Sequence, residues 1–113
     1  GTNLVAMEAM ATGVPSIIAA NTGQLDIASP EHCYPLAGQG SVQPYEPYTG
    51  TKGWAEPSVE EAAALLEQVF LDRAEAERRG LASAVFMAKN YSWTEQVTKL
   101  VAAVDNMPAL YES

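Results

Sequence analysis

A short apolar run at residues 14–20, Val-Pro-Ser-Ile-Ile-Ala-Ala, constrains the fold more than any other feature of the sequence. It has no helical period and is nearly all apolar, as expected for a strand buried on both faces of a parallel sheet. Pro15 stands at its start, where a missing amide donor is tolerated. Residues 4–11, just before the run, are rich in strong helix formers, and Gly13 easily takes the left-handed conformation that ends a helix. A helix, a glycine cap and a buried strand in this order predict an α/β fold.

The residues that follow predict a second short strand and a long loop. Residues 21–24 are expected to form a turn after the first strand, and residues 32–36 to form another strand. Residues 37–56 are rich in glycine and proline and carry three aromatic side chains. They predict an insertion or long loop, and long ordered loops are often functional. Its tryptophan, Trp54, is expected to be a packing anchor.

Two Ser-x-x-Glu capping boxes predict where two later helices begin. Ser58 opens the first, which is expected to run to about Arg79 with Gly80 as its stop. A further helix is expected over residues 81–89, and Ser92 opens the last one.

Apolar residues at helical spacing predict which faces of these helices point inward. Trp93 is also expected to be a packing anchor. The predicted inward residues are Ala62, Leu65, Leu66, Val69 and Phe70 in the first helix, partly Val85, Phe86 and Ala88 in the second, and Val97, Leu100, Val101 and Val104 in the last.

Length and charge exclude several classes of protein. A chain of 113 residues suits one small domain, spanning 1–113, with C-terminal helices at 58–107. A net charge of -8 argues against nucleic acid and against an anionic membrane surface, because the long-range field repels phosphate. The single cysteine, Cys33, cannot form an internal disulfide, so a reducing, cytoplasmic location is expected.

The first fifteen residues, Gly-Thr-Asn-Leu-Val-Ala-Met-Glu-Ala-Met-Ala-Thr-Gly-Val-Pro, carry a family resemblance. The run Glu-Ala-Met-Ala-x-Gly-x-Pro resembles the signature of family-4 retaining glycosyltransferases with the GT-B fold. That signature has two glutamates, of which Glu8 matches the second, and the first would fall one residue before Gly1. Weaker likeness extends to residues 54–66 and 91–93, so only the first fifteen residues are strongly diagnostic.

The resemblance implies a fold and an activity. The fold would be a partial doubly wound, Rossmann-like parallel sheet, the C-terminal half of a GT-B donor-binding domain. The parent enzyme would transfer a hexosyl group, with retention, from a nucleoside diphosphate sugar to an acceptor. The donor-binding residues would be Gly1, Thr2, Asn3, Leu4, Val5 and Glu8.

The turn and the glutamate of this motif have chemistry that suits a nucleotide sugar. A helix N-terminus offers unpaired amides and the positive end of the helix dipole, which together suit a diphosphate. In the family, the turn amides hold the diphosphate and sugar, and the second glutamate accepts both ribose hydroxyls. No catalytic residue, cofactor or metal ligand is expected anywhere in the 113 residues, whose sequence has no Asp-x-Asp motif and no His/Cys cluster.

Simpler interpretations remain open at several of these positions. Glu8 could be an ordinary solvated helix carboxylate, and Thr22 and Gly23 could form a mere connection. Asp26 stands near a position that is often acidic in the family. His32 and Cys33 are expected to be structural, because no second histidine and no metal-binding spacing accompany them.

The chain also departs from the family pattern. Thr2 and Asn3 replace the usual aromatic-glycine pair of the turn, and Lys52 is the first basic residue along the chain. The sequence is expected to be truncated at its N-terminus, and the segment alone to be inactive. The expected partners are therefore the remainder of the GT-B polypeptide or a second chain, with room for peripheral membrane association through the N-terminal domain. The alternative is a non-catalytic nucleotide-binding or assembly module.

Overall fold

The computed structural model describes residues 1–108 and shows a mixed α/β protein. Its described part contains four α-helices, four three-residue strands and a short 3-10 helix at Thr22–Asp26. In chain order the elements are α1 (Leu4–Ala11), β1 (Ile17–Ala19), β2 (Tyr34–Leu36), β3 (Gln39–Ser41), β4 (Ala55–Pro57), α2 (Val59–Leu71), α3 (Arg73–Asn90) and α4 (Trp93–Asp105).

The strands of residues 1–108 form two separate two-stranded sheets. β1 pairs with β2 in parallel, with Ile18 opposite Pro35, and β3 pairs with β4 in antiparallel fashion. Both strands predicted from the apolar runs are confirmed, although each is shorter than its run. Residues 14–16 lead into β1, and Tyr34 completes the ladder by donating its amide to the carbonyl of Ser16 at 2.9 Å.

The core lies where α1 and α3 pack beside the parallel pair. Met10, Ile18, Ile27, Cys33 and Met87 form one buried cluster. Cys33 is a core residue, as expected: its thiol donates to the carbonyl of Ser29 at 3.1 Å, and burial raises the pKa of that thiol.

His32 is also structural. Its ring stacks on Phe86 with centroids 4.1 Å apart, and its Nε2 lies 2.9 Å from the carbonyl oxygen of Ile27. The imidazole therefore joins the segment before β2 to α3.

The predicted helix from Ser58 to Arg79 is wrong in its extent. α2 ends at Leu71, and Asp72 caps the new helix α3 by accepting the amide of Glu75 at 3.0 Å. Gly80 does not stop a helix but lies buried inside α3. A Cβ at this position would collide with the carbonyl oxygen of Gly13, so the glycine lets α3 approach the end of α1. Gly13 itself has φ 79, which confirms the predicted left-handed helix end.

Both capping boxes are confirmed at their serines. Ser58 accepts the amide of Glu61 at 3.2 Å, and Ser92 accepts the amide of Glu95 at the same distance. The carboxylate of Glu61, however, accepts the amides of Ala37 at 3.0 Å and Gly38 at 2.8 Å. The first box therefore ties α2 to the chain leaving β2.

The loop predicted at residues 37–56 is an antiparallel ribbon for part of its length, because β3 and β4 fall inside or at the end of it. We call residues 39–57 the ribbon. Its base is fixed by Gln39, whose side chain accepts from Asn21 at 2.9 Å and donates to the carbonyl of Leu36 at 2.8 Å. The second sheet thus starts at the carboxyl end of the first.

Several faces that were expected to be buried are exposed. Trp93 is 87% exposed and Trp54 48%, so neither is the packing anchor that was predicted. No helix within residues 1–108 has the length and apolar character needed to cross a membrane. The exposed residues among the predicted inward positions are Leu66 and Phe70 in α2, Val85 and Ala88 in α3, and Val97, Leu100, Val101 and Val104 in α4.

Candidate functional site

The candidate site lies where the carboxyl ends of β1 and β2 meet the beginning of α1. The turn that opens α1 lies beside the turn that follows β1, at the carboxyl end of that strand. The two turns at this edge touch: a Cβ on Gly23 would lie 3.1 Å from the carbonyl oxygen of Gly1. Asn3 also donates from its side chain to Gln24 at 3.4 Å. Open α/β sheets bind ligands at such edges.

Asn3 shapes the turn that opens α1. Its backbone is left-handed, with φ 66, a conformation that asparagine tolerates better than most residues. Its side-chain oxygen accepts the amide of Ala6 at 3.2 Å, and its carbonyl accepts the amide of Met7 at 3.1 Å. Among the described residues, the first-turn amides left for a ligand are therefore those of Leu4 and Val5.

Glu8 lies one turn further along α1, on the same face as Leu4. Both residues line a cleft of about 530 Å³ between α1, the end of α3 and the start of α4. Glu8 is exposed, and none of the ion pairs between described residues involves it. A carboxylate in this position can accept hydrogen bonds from the hydroxyls of a ligand.

The predicted site residues are only partly gathered into one cavity. Thr2 and Leu4 line an adjoining cleft of about 320 Å³, and Leu4 also joins Glu8 in the larger one. Gly1 and Val5 are exposed at the surface of the turn and line neither cleft. The site is therefore an open edge rather than an enclosed pocket.

The sequence interpretation missed residues contributed by α4 and the turn before it. Tyr91, Trp93 and Gln96 line the smaller cleft, and Lys99 lines a third one, of about 520 Å³, together with Thr2. Lys99 is thus a cation near the turn although it is far from it in sequence, and its Nζ also lies 3.3 Å from Glu95. The capping box at Ser92 was the available signal, since it places Trp93 at the first position of a helix.

Within residues 1–108, no cluster of three potential ligands could hold a metal ion. The expected absence of a metal therefore stays a prediction, to be checked by elemental analysis. No protein family, curated protein or solved structure matches the chain.

Proposed function

We propose that this chain is the C-terminal part of the donor-binding domain of a family-4 retaining glycosyltransferase. The complete enzyme would transfer a hexosyl group from a nucleoside diphosphate sugar to an acceptor. The proposal is supported chiefly by the turn at the start of α1. Asn3 occupies the position of the second glycine in the family's turn and adopts the left-handed backbone that favours glycine.

The proposed role of this turn is electrostatic stabilisation of the leaving diphosphate. A leaving diphosphate gains negative charge as the bond to the sugar breaks, and fixed dipoles aimed at that charge lower the barrier. In this proposal the amides of Leu4 and Val5, at the positive end of α1, donate hydrogen bonds to the diphosphate oxygens. Lys99 adds a cation close to the same turn. No metal is required for this step.

Glu8 is proposed to hold the ribose of the donor. Its carboxylate lies one helical turn beyond the amides, which separates the sugar-phosphate contacts from the ribose contacts along the same helix face. An ionised carboxylate can accept from both vicinal hydroxyls, and such charge-assisted hydrogen bonds are stronger than neutral ones.

The proposed architecture is a doubly wound sheet of which β1 and β2 are two strands. Within residues 1–108, β1 pairs on one side only, so its other edge can accept a further strand. The proposed partners are the remainder of a GT-B polypeptide or a second chain, with the acceptor bound across the cleft between two domains.

The replacement Glu8→Ala in the complete enzyme tests the proposal. We expect kcat/KM for the donor to fall by an amount equivalent to about 1.5–3 kcal/mol, the scale of a charge-assisted hydrogen bond. UDP-, GDP- and ADP-sugars would be compared, with binding of the free nucleotides measured by calorimetry. Glu67→Ala, which removes an exposed carboxylate on α2, is the matched control and should change nothing.

Unchanged donor kinetics in Glu8→Ala would contradict the assignment of the ribose contact. Nucleotide binding without transfer to any acceptor would instead favour the non-catalytic module. The two results are distinct because the first concerns one side chain and the second concerns the whole activity.

A further inference from the structure

The ribbon carries an aromatic cluster that the proposed donor site does not use. Tyr45, Tyr48 and Trp54 are 55%, 52% and 48% exposed. The rings of Tyr45 and Tyr48 meet edge to face with centroids 5.5 Å apart, and those of Tyr48 and Trp54 are tilted at 6.0 Å. We call these three side chains the aromatic platform.

The backbone beneath the platform holds it in place. Tyr45 donates its amide to the carbonyl of Tyr48 at 2.9 Å, and Trp54 donates to the carbonyl of Thr51 at the same distance. Thr51 is buried, and its hydroxyl donates to the carbonyl of Val42 at 3.1 Å. Rings that are already ordered lose less entropy when a ligand stacks on them.

The composition of the ribbon indicates what kind of ligand would stack there. Throughout residues 39–57, all of which are described, the only large exposed hydrophobic side chains are the three rings. By contrast, α4 exposes mainly aliphatic side chains, as a surface that packs against protein does. The exposed face of an aromatic ring is weakly negative and attracts the C–H bonds on the apolar face of a pyranose ring.

Polar groups around the rings suit the other side of such a ligand. Gln43, Glu46, Lys52 and Glu56 are exposed nearby in the ribbon and can bind hydroxyl groups at the rim of a sugar. Two of these four side chains are carboxylates and one is an ammonium group, so the local charge disfavours an anionic ligand and does not affect a neutral one. The charges therefore favour a neutral polyhydroxylated ligand.

The position of the ribbon relates the platform to the donor site. Gln39 and Pro57 are paired at its base, which the bond from Asn21 joins to the site edge. Trp54 is three residues from Pro57, so it lies at most about 11 Å from that base. A ligand of several sugar units can span this length.

We propose that the aromatic platform binds a neutral glycan by stacking on its pyranose rings, and that this glycan is the acceptor. The acceptor role rests on the proposed transferase function, whereas the binding itself does not. The substrate class would be a chain of several neutral hexoses rather than a phosphorylated or charged acceptor.

Binding of neutral hexasaccharides to the complete polypeptide tests the inference. Cellohexaose, maltohexaose and laminarihexaose would be titrated by calorimetry, and UDP, GDP and ADP would be titrated into the same samples. We expect at least one hexasaccharide to bind, and Trp54→Ala to weaken that binding by about tenfold while nucleotide affinity is unchanged. Trp54→Phe keeps a ring and should stay within about threefold of the unmodified protein.

Phe70→Ala removes a ring from α2 that is more exposed than those of the platform, and it is the matched control, expected to leave glycan affinity unchanged. The inference is overturned if no hexasaccharide binds at millimolar concentration, or if one binds equally well to Trp54→Ala and Tyr48→Ala. Failure of the nucleotides to bind would count against the proposed function alone, which keeps the two failures apart.

Discussion

At the scale of single residues, two positions decide how α1 is placed. Asn3 takes the left-handed backbone that opens the helix, and Gly80 allows α3 to touch the helix end at Gly13. The buried Ser83 strengthens the same junction by donating its hydroxyl to the carbonyl of Met10 at 3.0 Å. α1 is therefore held at both ends, by the Asn3 turn at its beginning and by contacts with α3 at its end.

We expect Gly80→Ala to destabilise the complete protein by about 2 kcal/mol, because an added methyl group would collide with rigid backbone. Alanine's better helix propensity, worth about 1 kcal/mol, would offset only part of this cost. Urea unfolding measures the difference. Ala88→Gly, an exposed change in the same helix, gives the propensity contribution alone. A Gly80→Ala protein more stable than the unmodified one would show that the two backbones can separate.

Local chemistry explains which residues could be predicted from the sequence. Ser58, Ser92 and Gly13 act within a few residues of themselves, so their patterns are visible along the chain. Gly80 was misinterpreted as a helix stop because its role depends on a contact with a distant segment. For the same reason, the placement of Lys99 beside the candidate site could not be foreseen.

At the scale of elements, the helices were easier to predict than the strands. The apolar run at residues 14–20 predicts the strand that contains β1. In contrast, β3 and β4 are three residues long and show no alternation of apolar and polar residues that would predict a strand. The break between α2 and α3 was missed because its cap, Asp72, stands in a stretch with continuous helical propensity.

Within α3, Glu75 organises a charged cluster against β2. Its carboxylate accepts from Arg78 and from Arg79, each at 2.7 Å for the shortest contact. Arg79 also donates to the carbonyl of Cys33 at 2.9 Å and lies 4.2 Å above the ring of Tyr34. The hydrogen bonds from Arg78 and then Arg79 lower the pKa of Glu75 from 4.5 to about 2.

The lowered pKa of Glu75 predicts a pH-dependent contribution to stability. A carboxylate favoured in the folded state stabilises it above the unfolded pKa, and this contribution is lost as pH falls through the folded pKa. We therefore expect the difference in urea midpoint between the unmodified protein and Glu75→Gln to be constant above pH 4.5 and to vanish towards pH 2. Glu77→Gln, in the same helix, is the control. A difference that did not vary with pH would contradict the role given to the ion pairs.

At the scale of the whole molecule, residues 1–108 leave much apolar surface uncovered. The chain exposes 8139 Å², whereas a compact monomer of this mass exposes about 6000 Å². Its radius of gyration of 17.8 Å likewise exceeds the value of about 13 Å for a compact domain of this length. Within residues 1–108, the unpaired edge of β1 leaves backbone hydrogen-bonding groups open, and α4 exposes an apolar face. Both surfaces would be stabilised by contact with another chain or segment.

We expect residues 1–113, expressed alone, to self-associate or to remain partly unfolded. The open strand edge would pair with other copies, and the uncovered helix faces would add hydrophobic attraction. Light scattering combined with thermal melting measures both outcomes. A monomer that melts in one cooperative transition would refute this expectation.

The anchoring of the ribbon has a consequence for how proteins of this architecture can diversify. Glu61 and the pairing of Gln39 with Pro57 close the segment at its base, so residues 42–54 form an exchangeable cassette. Doubling the length of such a loop costs only about 0.6 kcal/mol in closure entropy. Changes within residues 42–54 can therefore remodel this surface while the sheet and the helices beneath it keep their packing.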